Sequence, residues 1–310
     1  MKKIPVIIDC DPGHDDAIAL ILAFAREELD VKAVTVVAGN QTLDKTTLNA
    51  KKILSFIGKQ PPLAAGAARP LVRELVTAGS VHGESGLDGP DIPEPSFSEE
   101  PFPAVELLRR TIMENPEPIT LVPTGPLTNI ALLFSAYPEV KKNINQISMM
   151  GGGLEMGNWS SAAEFNIIVD PEAADIVFRS GIPITMAGLD VTHRAMILPE
   201  EVEELRRLGG RVPVLVADLV DFYGRYHSEQ GFAGSPLHDP CAVAWLVRPE
   251  IFTAKPYHVV IETKGCHTAG MTLADRRPWT KAQPNALVLL DLDRAAFIQM
   301  LFDACKFYSQ

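Results

Sequence analysis

The sequence contains no apolar run that is long enough to cross a membrane. The longest run, from Ala17 to Ala25, is about half the length that a membrane-spanning helix needs. The apolar segment after Lys2 and Lys3 stops at Asp9, too early for the apolar region of a secretory signal, and no small-residue cleavage site follows it. We therefore expect a cytoplasmic protein that is neither exported nor inserted into a membrane.

Cysteine is scarce and scattered. The four cysteines are Cys10, Cys241, Cys266 and Cys305, and no CxxC pair occurs, so the sequence indicates neither a zinc site nor a redox pair. Reduced thiols agree with a cytoplasmic location. Cys241 lies three residues after His238, which leaves a nucleophilic role open, but a small buried residue on a helix is the better interpretation.

Positive charge is also in short supply. The 310 residues include 28 Lys and Arg against 39 Asp and Glu, which gives a formal net charge of −11. Such an acidic surface repels phosphate backbones, so we expect no nucleic-acid partner and a neutral small-molecule substrate. The motifs of dinucleotide-binding, P-loop and serine hydrolase proteins are missing as well, since no GxGxxG, GxxxxGK[ST] or GxSxG occurs.

What the sequence does contain is an alternation of strand-like and helix-like segments. Strands are predicted at residues 4–9, 31–38, 118–125, 145–153, 182–188, 257–263, 268–275 and 285–293. Helices are predicted at residues 15–27, 44–57, 127–134, 170–181, 199–208, 212–227, 238–247 and 294–308. This order predicts an α/β fold with a mostly parallel open sheet and helices on both faces, as one domain over residues 1–310. For the strand-rich segment 257–291 the sequence suggests no role beyond packing.

Four polar stretches follow predicted strands, and the first of them is strongly acidic. It reads VIIDCDPGHDD over residues 6–16, with no Lys or Arg between residues 4 and 25. Ligands of open α/β sheets bind beyond the carboxyl ends of the strands, so we expect this stretch to meet residues 38–42, 123–129 and 151–166 in one site. Crowded carboxylates need a distant cationic side chain, a metal or shared protons to compensate their charge, and an all-oxygen site suits Ca²⁺ or Mg²⁺.

Three other interpretations of the aspartate-rich stretch have to be compared with an open sugar- or water-binding cation site. An EF-hand fails, because counting from Asp9 places Gly13 and Leu20 where the motif needs liganding oxygens. An aspartyl-phosphate phosphatase stays open, since DCD matches its Asp-x-Asp opening, although Gly13 replaces the usual Thr or Val and the local charge disfavours phosphate. A single aspartate would be a helix cap, but four beside a Pro-Gly turn favour the cation.

Two further stretches carry polar side chains that suit a sugar and its leaving group. Asn158, Glu164 and Asn166 lie in one loop and offer defined donors and acceptors for sugar hydroxyls. His238 stands beside Asp239 at the predicted start of a helix, which makes it a candidate acid catalyst.

Seven motifs occur in order along the chain: DCDPGHDDA, AGNQT, VHGESGLDG, TGPLTN, MGG, GNWSSAAEFNIIVDPEAA and HDP. Together they resemble the inosine-uridine nucleoside hydrolase family, from residue 7 to about residue 250, with the closest likeness to bacterial pyrimidine-preferring ribonucleoside hydrolases. The resemblance implies the nucleoside hydrolase fold, the Ca²⁺-dependent hydrolysis of ribonucleosides to ribose and free base in nucleoside salvage or catabolism, and a homotetramer or homodimer.

The resemblance also implies roles for individual residues. The Ca²⁺ ligands are then Asp11, Asp16, the backbone carbonyl of Thr124, and Asp239. A Ca²⁺-bound water attacks the ribose C1′ with Asp11 as general base, through an oxocarbenium-like state, and His238 is the general acid for the departing base. The residues that hold the ribose hydroxyls are Asp15, Asn40, Asn158, Glu164, Asn166 and Asp239.

The chain departs from its pyrimidine-preferring relatives in the segment YGRYHSEQGFAG, residues 223–234, which is called the base-binding flap below. Those relatives present a Gln and then a Tyr to the base, four residues apart, whereas here Tyr226 precedes Gln230, and His227 adds a third polar group. His82 lies beside the base in this interpretation, as does the acid candidate His238, and Phe165 packs against the ribose or the base. A purine or non-specific preference therefore stays open. A nucleoside- or ribose-binding protein without turnover is the non-enzymatic alternative, and the intact base and acid argue against it.

Overall fold

The computed structural model describes residues 2–309, and an eight-stranded sheet forms its centre. The strands are β1 (Ile4–Cys10), β2 (Leu29–Val36), β3 (Leu63–Ala65), β4 (Ile119–Pro123), β5 (Ile144–Met150), β6 (Ile184–Ala187), β7 (Met196–Ile197), β8 (Ser235–Pro236), β9 (Phe252–Tyr257), β10 (Val259–Ile261), β11 (Thr272–Ala274) and β12 (Ala286–Leu292). The helices are α1 (His14–Ala25), α2 (Leu43–Phe56), α3 (Gly79–His82), α4 (Ala104–Glu114), α5 (Thr128–Ala136), α6 (Phe165–Val169), α7 (Pro171–Phe178), α8 (Leu189–Thr192), α9 (Pro199–Leu208), α10 (Arg211–Glu229), α11 (Pro240–Val247) and α12 (Arg294–Phe307).

The sheet has the order β3-β2-β1-β4-β5-β6-β12-β9. All neighbouring strands are parallel except β12 and β9, which form an antiparallel edge. The predicted α/β fold with a mostly parallel sheet is therefore confirmed. From β1 the chain moves outward to β3 and then returns to the other side of β1 with β4, so the strand order reverses between β1 and β4. Sheets of this kind bind their ligands beyond the carboxyl ends of the strands at such a reversal.

Apolar side chains cover both faces of the sheet. Along β1, Val6, Ile8 and Cys10 belong to a hydrophobic cluster that includes α1, α11 and α12, whereas Ile7 belongs to a second cluster with α4, α5 and α7. This alternation places helices on both faces and explains why the central strands are continuous apolar runs.

Helix α1 starts directly after the acidic turn and is buried along almost its whole length. It was predicted at residues 15–27 and occupies 14–25 because Gly13 caps it: the backbone N–H of Gly13 donates to Oδ2 of Asp16 at 3.0 Å. Its apolar faces pack between the sheet and helices α11 and α12. The packing of this helix therefore fixes Asp15 and Asp16 in its first turn.

Eight of the described elements were not predicted from the sequence, namely β3, β7, β8, β9, α3, α4, α6 and α8. Helix α4 had a usable signal, because its buried residues Ala104, Leu107, Leu108 and Ile112 follow the spacing of a helix face. The strand predicted at 257–263 was wrong in its bounds, since β9 ends at Tyr257 and β10 begins at Val259 in a different sheet. In β9 the side chains alternate between partly buried and exposed, as expected of an edge strand, so it lacks the apolar run of the central strands.

The strand-rich C-terminal segment does more than pack against the sheet. Strand β12 fills the sheet position between β6 and β9, while β10 and β11 form a separate hairpin. From β11, the hydroxyl of Thr272 donates to the carbonyl of Gly153 at 2.7 Å and accepts from its N–H at 2.9 Å. The hairpin thus supports the glycine-rich loop that follows β5.

The environment of Cys241 and the lengths of the helices bear on two of the expectations from the sequence. Cys241 lies buried on α11, where burial raises the pKa of its thiol, which agrees with a structural residue and opposes a nucleophile. Within residues 2–309, every helix is too short or too polar to cross a bilayer.

Candidate active site

A cavity of about 310 Å³ opens at the carboxyl ends of the strands, beside the reversal between β1 and β4. The residues predicted from the sequence that line it are Asp15, Asn40, His82, Thr124, Asn158, Glu164, Phe165, Asn166, Tyr226, His227, Gln230, His238 and Asp239. Asp11 and Asp16 complete the predicted set and are fully buried beside it. Residues from the four stretches that were expected to meet, and from three further ones around His82, Tyr226 and His238, therefore lie in one place, at a volume suited to a small molecule.

Hydrogen bonds from neighbouring loops hold the two fully buried aspartates. Asp16 accepts from the Asn40 side chain at 3.1 Å and from the Thr124 hydroxyl at 2.8 Å. Oδ2 of Asp11 accepts from the backbone N–H of Asn40 at 2.7 Å. The other oxygen of Asp11, Oδ1, is buried without a hydrogen-bond partner. The loops after β2 and β4 thus orient both carboxylates and leave one oxygen of Asp11 free.

The carboxylates lie close together without a positive charge between them. One carboxylate oxygen each from Asp15, Asp16 and Asp239 lies within 4.8 Å of the other two. Burial, followed by repulsion from neighbouring carboxylates, raises the pKa of Asp15 to about 7 and holds the pKa values of Asp11 and Asp239 well above the ordinary value. Within residues 2–309, no Lys or Arg forms an ion pair with any of the four.

The oxygen atoms of these carboxylates fit a hard divalent cation. Carboxylate and carbonyl oxygens are the ligands that such ions prefer, and the partnerless Oδ1 of Asp11 is available as one of them. The Thr124 carbonyl, another candidate ligand, accepts from the Asn166 side chain at 2.8 Å. Asp15, which the sequence assigned to the ribose, belongs to the group of three carboxylates whose oxygens lie within 4.8 Å of one another. It is therefore an additional candidate ligand.

The loop after β5 supplies the side of the cavity predicted to bind the ribose. The Glu164 carboxylate caps α6, accepting from the backbone N–H groups of Asn166 at 2.9 Å and Gly152 at 2.8 Å. Burial raises the pKa of Glu164 to about 6, although these N–H groups act in the opposite direction. Oδ1 of Asn158 accepts from the Phe165 N–H at 2.9 Å, which closes the loop. The loop's own backbone therefore holds its polar side chains in place.

Four histidines line the cavity, and the three that were predicted from the sequence, His82, His227 and His238, each have a polar partner. Nδ1 of His82 lies 3.1 Å from Nδ1 of His14, and Nδ1 of His238 lies 2.7 Å from the Thr192 hydroxyl. Nδ1 of His227 donates to a backbone carbonyl of its own helix at 3.1 Å. Burial lowers the pKa of His227 to about 4 and holds the pKa values of His82 and His238 well below 6.5. All three rings are uncharged at neutral pH.

The last turns of α10 form the wall that the sequence assigned to the base. Tyr226 and Gln230 both line the cavity, as does His227 between them. Tyr223, one turn earlier, was not predicted, and its hydroxyl lies 3.5 Å from Oδ2 of Asp15. Spacings of three and four residues place this whole set on one helix face.

Several cavity residues escaped prediction. They are Ala78, Ser80, Val81, Met150, Met156, Gly157, Trp159, His193, Tyr223 and Phe232. For His193 a signal existed, because it follows β6 and the rule about strand carboxyl ends applies there as well. The apolar members carry no such signal, since an isolated Met or Phe in a loop is an ordinary packing residue.

Comparison with known proteins decides the family. Residues 6–299 match the family model described as inosine-uridine preferring nucleoside hydrolase. The chain belongs to this nucleoside hydrolase family. The chain is therefore a ribonucleoside N-ribohydrolase, an enzyme that hydrolyses the N-glycosidic bond, and membership sets aside the phosphatase and the non-catalytic binding protein.

Individual nucleoside hydrolases resemble the chain over nearly its whole length. It is 53% identical to the pyrimidine-specific ribonucleoside hydrolase RihA of Citrobacter koseri and 55% identical to that of Shewanella woodyi, each over 309 residues and 99% of both chains. The solved structure of the purine-preferring ribonucleoside hydrolase from Gardnerella vaginalis superposes with a TM-score of 0.91 at 30% identity, over 98% of this chain and 99% of that one. The predicted nucleoside hydrolase fold is confirmed.

Proposed function

We propose that this nucleoside hydrolase requires Ca²⁺ and prefers pyrimidine ribonucleosides such as uridine and cytidine, in nucleoside salvage or catabolism. The observation that carries the metal requirement is the group of buried carboxylates without a cationic partner, including the partnerless oxygen of Asp11. The base preference is supported by two relatives that are more than half identical and are named pyrimidine-specific.

The ion is held by Asp11, Asp16, Asp239 and the carbonyl of Thr124 in this proposal. When bound there, Ca²⁺ would supply a Lewis acid that lowers the pKa of a nearby water and would attract the sugar hydroxyls. The free oxygen of Asp11 accepts the proton of the attacking water, so that the water approaches C1′ as a nucleophile. Because the surrounding carboxylates are fixed by hydrogen bonds, they stabilise positive charge on the ribose ring without rearranging.

The ribose and the base occupy different sides of the cavity in this proposal. The hydroxyls of the ribose contact Asp15, Asn40, Asn158, Glu164, Asn166 and Asp239, all of which line the cavity or its floor. His238 faces the base and, being uncharged, stabilises its departure by donating a hydrogen bond. His82, Phe165, Tyr226, His227 and Gln230 enclose the base.

A purine preference is the second candidate, and the flap supports it. Tyr226 and Gln230 stand in the reverse of the order found in pyrimidine-preferring relatives, and polar groups in a pocket decide which base is accepted. A purine-preferring enzyme also superposes closely on the chain.

Base preference is tested by the ranking of kcat/KM on uridine, cytidine, inosine and adenosine in the presence of CaCl₂. We expect both pyrimidine nucleosides to rank above both purine nucleosides. A value for inosine equal to or above that for uridine would contradict the proposed preference and leave the hydrolase activity in place.

Three broader expectations complete the proposal. Residues 1–310 act as one catalytic domain, the enzyme works in the cytoplasm, and it assembles into a homotetramer or homodimer. Light scattering coupled to size-exclusion chromatography measures the assembly directly. A mass near the 33.7 kDa of one chain would contradict it.

A further inference from the structure

A buried threonine contacts the ring of His238 from outside the cavity. Thr192 is the last residue of α8, on the segment that follows β6, and its side chain is fully buried. Its Oγ1 lies 2.7 Å from Nδ1 of His238. Thr192 does not line the cavity, so it acts on a substrate only through the histidine.

The direction of this hydrogen bond follows from the bonding needs of the hydroxyl. Among the described residues, Oγ1 of Thr192 has no other hydrogen-bond partner. If Nδ1 of His238 donated, the hydroxyl hydrogen would be buried without an acceptor, which is unfavourable. Thr192 therefore donates and Nδ1 accepts, so the hydrogen of the uncharged ring is on Nε2.

The segments that carry the two residues are tied together by their backbones. The N–H of Leu237, next to His238, donates to the carbonyl of Ala195 at 3.0 Å. Strands β7 and β8 then pair, with Met196 opposite Pro236. This connection holds Thr192 and His238 next to each other. It limits the ring to one orientation, with Nε2 on the cavity side.

We propose that Thr192 is a positioning residue for the hydrolysis reaction, which fixes the tautomer and the ring plane of His238 so that Nε2–H points at the departing base. This inference rests on the proposed function. A ring without this partner populates the other tautomer, in which the atom facing the base is an acceptor and repels the electrons that collect on the leaving nitrogen.

Thr192→Val tests the inference, because valine keeps the shape and removes the hydroxyl. On uridine we expect kcat to fall by about tenfold to a hundredfold with little change in KM, since a misplaced acid loses part of the 10²–10⁴-fold that acid catalysis supplies. On p-nitrophenyl β-D-ribofuranoside, whose leaving group departs without a hydrogen bond, kcat should stay within about threefold of wild type. Thr192→Ser restores the hydroxyl and should restore activity on uridine.

The matched control is Thr120→Val. Thr120 is buried in β4 and its hydroxyl has no hydrogen-bond partner, so this variant loses no hydrogen bond and should retain wild-type rates on both substrates. His238→Ala provides the reference for complete loss of the ring, and it should show the same dependence on the leaving group, more strongly.

A second measurement reads the tautomer without turnover. In ¹⁵N-histidine-labelled protein, the nitrogen chemical shifts of His238 should show Nδ1 unprotonated in the wild type and in Thr192→Ser. In Thr192→Val they should show a mixture of the two tautomers.

A wild-type ring protonated at Nδ1 would overturn the inference. So would equal losses by Thr192→Val on both substrates, or a wild-type rate on uridine while His238→Ala is impaired. Failure of the wild type to release ribose from any substrate would instead overturn the proposed function, and the inference with it.

Discussion

A buried carboxylate oxygen without a partner is costly, and Oδ1 of Asp11 is such an atom. Its second oxygen is held by Asn40, so the side chain cannot turn to relieve the cost without losing that hydrogen bond. Strain of this kind persists at functional sites because a ligand or a reacting group relieves it. At the scale of the residue, the partnerless oxygen of Asp11 therefore supports the proposed role of this side chain in binding the metal and the proton.

Asp11→Asn separates the contribution of Asp11 to catalysis from its effect on stability. The amide keeps the shape and removes one charge from a group of mutually repelling carboxylates. We expect kcat on uridine to fall by about 10²–10⁴-fold, because the general base is lost. In the metal-free protein the melting temperature should stay equal to that of the wild type or rise. A lower melting temperature with unchanged kcat would show that Asp11 is a structural residue.

At the scale of the element, the end of α10 combines structure and selectivity. Tyr223 is buried, Tyr226 is partly buried, and Gln230 is exposed at the last turn, yet both Tyr226 and Gln230 face the cavity. The buried residues of the helix fix its position. In the proposed function Tyr226 and Gln230 contact the base, so the base preference could change through them without rebuilding the core.

Gln230→Ala tests the contribution of the helix end. We expect the ratio of kcat/KM on uridine to that on inosine to change by about tenfold, the effect of one lost hydrogen bond in a pocket. Gln299→Ala is the control, since Gln299 lies exposed on α12 and bonds only Asp303. An unchanged ratio in Gln230→Ala would remove Gln230 from the base-binding residues.

Sequence patterns were sufficient to predict the helices and strands that have one dominant physical signal, such as a continuous apolar run or a clear helix cap. The buried strands read as apolar runs, and α7 was predicted with its cap, in which Asp170 accepts from the Ala173 N–H at 3.0 Å. Strand β9 was missed because half of its side chains face away from the core. The acidic turn after β1 predicted the carboxylate group, but no pattern shows that Thr192 would meet His238, since 46 positions separate them in the chain.

At the scale of the whole molecule, the site adds buried negative charge to a chain that is already acidic. In the metal-free protein, the pKa values of Asp9 and Asp15 are raised to about 7, mainly by burial. Their stabilising, protonated forms are present at low pH and are lost as the pH rises through about 7. The buried histidines act in the opposite direction, because burial lowers the pKa values of His14 and His227 to about 4. Their stabilising effect is complete above pH 6.5 and is lost as the pH falls from there through about 4.

The carboxylates and the histidines together predict a pH dependence of the melting temperature that the metal reduces. In EGTA, the melting temperature should fall between about pH 6.5 and pH 8, where the histidines are already uncharged and the carboxylates still ionise. With saturating CaCl₂ this fall should become smaller, because the ion compensates the carboxylates of its site whereas Asp9, which is not a proposed ligand, still ionises. The melting temperature should be higher at every pH in this range. Identical melting curves with and without Ca²⁺ would contradict the proposed metal site.

The most direct test of the account is ribose release from uridine by one preparation before and after slow chelation of its Ca²⁺. The account predicts that activity falls as the bound calcium is removed and returns on addition of CaCl₂, in proportion to the calcium that rebinds. Full ribose release by protein shown by elemental analysis to contain no divalent metal would contradict it.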